Sequence, residues 1–164
     1  MRWIALGLIF SACGLAGALL SRALQVRVRE LEALLRLLST LRTQMQFSRA
    51  PLEPMLSQAC GQGQTPAFLP VCIAAMRAGA AFPAAWRESA AHGFGLRPED
   101  RQLLLSLGEL LGATDAEGQR EGLLLHEELC RDLLEDARKR KESRGRSFFT
   151  LGILSGLTVV ILFM

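Results

Sequence analysis

His126 and Cys130 stand four residues apart, a spacing that puts an imidazole and a thiol on one face of a helix. Such a pair is a start toward a metal site, but zinc is held by three or four ligands. Cys60, Cys72 and His92 fall at no ligand spacing from the pair, so the reading is a surface histidine beside a core cysteine, with no metal or cofactor expected. Phosphate chemistry of the P-loop kind needs a glycine-rich loop after a strand and a lysine on the phosphates. The only lysines, Lys139 and Lys141, lie inside a basic cluster, and no serine sits in a nucleophile elbow. Carboxylates crowd one stretch, but none has a partner suited to acid–base work. They read either as a solvated polar face or as an acidic docking face for a basic partner, carried by Glu121, Glu127, Glu128, Asp132 and Glu135. No enzyme is expected.

The elements that would position this face begin with two apolar ends. Residues 3–20 and 148–164 carry no charge; at 1.5 Å per residue each reaches roughly 25–27 Å, slightly short of a bilayer's hydrocarbon core. Snorkelling arginines or local thinning would close the gap. Residues 1–29 hold Arg2, Arg22, Arg27 and Arg29 and no acid, a net +4. Segment 138–146 holds Arg138, Lys139, Arg140, Lys141, Arg144 and Arg146 against Glu142, a net +5. Subtracting both from the chain's +3 leaves 30–137 at −6. That pattern excludes a nucleic-acid binder and describes an acidic domain between two basic collars. Arg and Lys gather on the cytoplasmic side of membrane segments, which places 23–146 in the cytoplasm, both termini outside it, and spans at 1–22 and 147–164. The lipid-facing collar is then Arg22, Arg27, Arg29, Arg138, Lys139, Arg140, Lys141, Arg144 and Arg146, attracting anionic headgroups. A cleaved N-terminal signal is the alternative, since Ala16-Gly17-Ala18 has the small-x-small form of a cleavage site; it would put the second collar on the wrong side. Cys13, Cys60, Cys72 and Cys130 show no paired spacing and fit a reducing compartment.

Between the collars no stretch alternates apolar and polar residues, so the domain is expected to be all-α, a six-helix bundle. Leu24, Val28, Leu31, Leu35, Leu38, Leu41 and Met45 make one stripe continuing from the first span and ending before Pro51. Further helices are expected at about 51–60, from Thr65 as N-cap with Pro66 in first position to Gly79, at about 83–92, from Pro98 to Gly112, and from about 116 through the collar into the second span. Within the spans, Gly7, Ser11, Gly14 and Ala18 share one face and Gly152 and Gly156 another. Small residues at that spacing let helices approach closely in lipid, between the two spans or with a partner's.

Several stretches together resemble the stage III sporulation protein AB family of endospore-forming bacteria. They are "FSRAPLEPML", the junction "LGELLGATDAEGQ" with Leu107, Gly108, Glu109, Leu111, Gly112, Asp115 and Gln119, and the ending "LGILSGLTVVILFM" with Gly152, Gly156 and Leu157. The likeness runs over essentially the whole chain. It implies a helical bundle similar to the cytoplasmic domain of platform proteins of type II secretion systems and type IV pili. It also implies a place in the channel between mother cell and forespore, beside other stage III sporulation channel proteins. The implied partner is a cytoplasmic secretion ATPase, stage III sporulation protein AA; a general secretion or pilus scaffold is the alternative.

Overall fold

The computed structural model describes residues 2–47, 51–61, 64–91, 93, 95–112 and 116–163, with side chains outside 2–21, 46–47, 116–117 and 144–163. Among the described residues six helices follow one another: α1 Arg2–Phe47, α2 Leu52–Gly61, α3 Phe68–Arg77, α4 Phe82–Ala91, α5 Pro98–Gly112 and α6 Ala116–Phe163. No strand occurs among the described residues. Each helix packs on its neighbours in sequence, and α1 closes the ring against α6, its most extensive contact. Arg42 pairs with Glu127 while Glu32 pairs with Arg138, so α1 and α6 run antiparallel. Both therefore leave the bundle at the same end.

The stripe on α1 is wider than a single row. Val28, Leu31, Leu38 and Leu41 are buried as the spacing predicts, and Ala33, Leu34 and Leu37 join them because α1 meets both α2 and α6. Leu56, Leu69, Leu104, Leu107 and Leu123 complete the centre, each fully enclosed. Burying a leucine contributes roughly 1.5–3 kcal/mol, so this cluster is the main source of cohesion. Among the residues described with their side chains, no helix is long and apolar enough to cross a membrane; the apolar ends, with Gly7, Ser11, Gly14, Ala18, Gly152 and Gly156, lie outside that set.

Helix boundaries follow local chemistry. Gly79, at φ +96°, closes α3 in a Schellman turn: Ala80 N–H donates to Ala75 O at 3.0 Å and Gly79 N–H to Met76 O at 2.9 Å. The start of α3 differs from the expectation that Thr65 caps it with Pro66 in first position. Thr65 Oγ1 instead donates to the Cys60 carbonyl at 3.0 Å, at the end of α2, and α3 begins at Phe68. The acceptor for its first turn comes from another helix: Ala67 N–H donates to Glu30 Oε2 of α1 at 2.9 Å.

Burial pushes the Glu30 carboxyl above its ordinary pKa of 4.5, and the Ala67 hydrogen bond opposes that shift. A carboxyl raised in the folded state favours folding while protonated, so its contribution declines as pH climbs from 4.5 through the raised value. Glu30→Ala is expected to cost about 1 kcal/mol, the worth of a helix cap. Glu30→Gln, which keeps an acceptor oxygen, is expected to retain most of the stability and lose the pH slope. Denaturant titrations of the three proteins between about pH 4 and 7 decide this; parallel wild-type and Gln curves would refute it.

Candidate functional site

The end of the bundle from which α1 and α6 depart is built around an internal ion pair. Arg27 Nε and Nη2 each donate to Asp100 at 2.8 Å, a bidentate clamp between α1 and the first turn of α5. Arg27 is 2% exposed and Asp100 fully enclosed. The hydrogen bonds it donates to Asp100 raise the guanidinium's pKa against the opposing effect of burial. The other arginine nitrogen, Nη1, is buried with no hydrogen-bond partner. Asp100 also accepts from the Arg97 backbone N–H at 2.8 Å, the reach-back of a third-position helix carboxylate to the N-cap. Arg27 thus cannot serve in the lipid-facing collar: it lies on the apolar stripe between Leu24 and Leu31, and an acid from α5 meets it there.

The rest of the collar is partly self-neutralised. Arg138 pairs with Glu32, Lys139 with Glu135 and Arg140 with Asp136, each at 2.7 Å. The Lys139 ammonium lowers the pKa of Glu135, and Glu135 raises that of Lys139. Both groups are exposed, and such pairs are screened by salt. Arg22, Arg29 and Lys141 are exposed without an ion pair among the described residues. Arg144 and Arg146 fall outside the described side chains.

His126 is not the surface residue its sequence position suggests. It is 8% exposed and clamps α5 to α6: Nδ1 donates to Gly122 O at 2.7 Å and Nε2 lies 3.0 Å from Ser106 Oγ. Cys130 is in the core as expected, its Sγ 3.6 Å from Leu31 O. Burial, with Asp100 next in effect, pushes its thiol up to about 12, so no reactive thiolate forms there. Among the described residues no three metal-ligating side chains converge. His92 lies outside them.

Sequence reasoning overlooked Trp86, and it saw Gly108 only as part of the family motif, without its packing role. Trp86 is fully enclosed, stands edge-on to Phe68 with centroids 5.0 Å apart and tilts against Phe82 at 5.4 Å. Its Nε1 donates to Leu104 O at 2.7 Å. A Cβ on Gly108 would collide with Trp86 Cδ1 and lie 2.6 Å from Nε1. The LGELLG run therefore packs α5 onto α4, and Gly108, Glu109 and Gly112 line a shallow cleft with Pro83, Trp86 and Leu105. The signal was available in the pairing of one mid-domain tryptophan with a glycine inside a leucine-rich helix.

Of the five acids expected on one face of α6, three are exposed without an ion pair among the described residues and two are engaged. Glu127 is 7% exposed and points inward, its Oε1 3.1 Å from Arg42 Nε; it shares the buried stripe of Leu123 and Cys130. Glu135 is engaged with Lys139. Glu121, Glu128 and Asp132 are exposed and make no ion pair among the described residues. Leu124, Leu125 and Leu129 are exposed among them. Together they make an exposed patch of apolar side chains beside unpaired acids.

Comparison with known proteins agrees with this architecture. The profile of the family described as stage III sporulation protein AB matches residues 2–164. A solved structure of stage III sporulation protein AB has a similar fold, with a TM-score of 0.64 at 20% identity, covering 72% of this chain and 98% of that one. No curated protein matches the chain.

Proposed function

Because the chain belongs to the stage III sporulation protein AB family, with its role in sporulation, we propose that it is a membrane-anchored platform of the channel joining mother cell and forespore. In this reading the apolar ends span the membrane around the forespore, both termini lie outside the cytoplasm, and the bundle faces the cytoplasm. There it recruits the secretion ATPase, stage III sporulation protein AA, and sits beside other channel proteins. The observation that carries the reading is the antiparallel course of α1 and α6. Each is a single helix that begins or ends in an apolar stretch, and both leave one end of the bundle. Two anchors departing together would fix the bundle's orientation against the bilayer, so its opposite end and flanks meet partners in one attitude.

The mechanism is positioning, with no chemistry performed by the chain. The collar's exposed Arg22, Arg29 and Lys141 support it, since basic residues near the surface attract anionic headgroups at roughly 1 kcal/mol each. The unpaired acids Glu121, Glu128 and Asp132 supply the cytoplasmic face for a basic partner. Copurification of the full-length chain with stage III sporulation protein AA from membranes tests the proposal. Stoichiometric recovery of the ATPase is expected; its absence, with the chain intact in the membrane fraction, overturns the adaptor role.

A further inference from the structure

The contacts between α5 and α6 set the rotation of each helix. Ser106 meets His126, and the space beside Gly122 is filled by Leu110. Leu129 follows Gly122 by two turns and His126 by one, so it emerges along the α5 edge of α6, with Leu125 one turn before it. These leucines are 44% and 56% exposed. On α6, Glu121 and Asp132 flank them; on the outer edge of α5, one and two turns from Ser106, lie Gln102, Glu109, which also borders the α4 cleft, and Glu99, whose carboxylate is 3.9 Å from Arg27 Nη2. Arg101, Arg120 and Arg131 fall on the opposite sides at 100° per residue, while Lys139 and Arg140 return to this face about three turns beyond Leu129, each paired with an acid of α6. The result is a helix–helix groove with exposed leucines along its α6 side, an acidic edge of Glu121 and Asp132 beyond them, and Glu109 across it on α5.

We infer that this α5/α6 groove receives a basic amphipathic helix of a partner protein, an inference that rests on the adaptor reading and locates its contact. Leucines at helical spacing would pack on Leu125 and Leu129 while Lys or Arg at the flanks met Glu121, Asp132 and Glu109. Charge argues against the other occupants. A membrane surface rich in anionic lipid repels these acids. A second copy docked by twofold symmetry would set acid against acid.

The probe is a fluorescein-labelled peptide of about 18 residues, five helical turns, with leucines at helical spacing and lysines on the other face. Its control has the same composition with the leucines scattered. Both are titrated against the full chain in zwitterionic lipid nanodiscs, with empty nanodiscs subtracted. The patterned peptide is expected to bind about tenfold tighter than the scattered one, a difference of about one decade in Kd. The double variant Leu125→Ser/Leu129→Ser is expected to lose about tenfold in affinity while keeping wild-type circular dichroism and thermal midpoint. Glu121→Lys/Asp132→Lys is expected to abolish binding of the lysine peptide. Equal binding of both peptides, or no change in the leucine variant, overturns the inference. So does self-association by sedimentation that disappears in that variant, which would make the groove an interface between copies. The assay contains no ATPase, so its failure leaves the adaptor reading standing; copurification of the ATPase with the leucine variant would place that contact elsewhere.

Discussion

Replacing Asp100 with alanine costs the bundle about 3–5 kcal/mol of folding free energy, the range for a buried ion pair that loses one partner. The cause is the charge left behind. Arg27 Nη1 already lacks a hydrogen-bond partner; the substitution strands Nε as well and leaves Nη2 only the exposed Glu99 carboxylate, 3.9 Å away. Arg97 N–H loses its acceptor in the same step. Relocation of Arg27 to solvent would require α1 to rotate, and the leucines on either side of it hold that rotation fixed. Arg27→Ala is expected to fall in the same range, now through an unpaired buried carboxylate. Arg27→Met/Asp100→Leu, which replaces both charges by apolar groups, is expected to recover most of the loss. Urea titration of the full chain, followed by Trp86 fluorescence in a Trp3→Phe background, reads the three variants against the parent. Single-variant losses below about 1 kcal/mol, the level of an exposed pair, would show that the clamp does not organise this end of the bundle.

Trp86→Ala has a comparable expected cost, about 3–5 kcal/mol. The indole fills the space between α3, α4 and α5, contacts two phenylalanine rings and satisfies a hydrogen bond to Leu104 O. Gly108→Ala inserts a methyl where the indole already lies and is expected to cost about 1–3 kcal/mol through overpacking. The two effects are coupled. In a Trp86→Ala background the new methyl enters the vacated volume, so Gly108→Ala is expected to become neutral or slightly favourable. Thermal unfolding of the two single variants and the double variant measures that coupling; simple additivity would mean the glycine is not there for the tryptophan.

Helix number, order and most boundaries were legible because each rests on a local signal. Pro98 with Glu99 and Asp100 marks the start of α5, and Gly79 marks the end of α3. What escaped was the fate of polar residues on buried stripes. Arg27, His126 and Glu127 all sit at core spacing, and their types suggested the surface. Periodicity alone placed them correctly, but their partners Asp100, Ser106 and Arg42 come from other helices, and no local rule pairs residues across that distance. The same reason explains Thr65, whose hydroxyl turned back to α2 while Glu30 of α1 supplied the acceptor for α3. The candidate partner face was half legible: its acids were visible as a cluster, while the leucines beside them stood out only once α5 fixed the rotation of α6.

The unbroken course of α6 has a geometric consequence. From Leu125 to Arg138 the helix climbs about 20 Å at 1.5 Å per residue, so groove and collar share one stiff rod and their separation is a fixed standoff. Whatever docks at the leucines meets the bundle at that height and at one azimuth. A single residue inserted between them would turn one part of the rod against the other by roughly 100°, and since Cys130, Leu134 and Ala137 are buried along that stretch, the bundle itself holds the bearing.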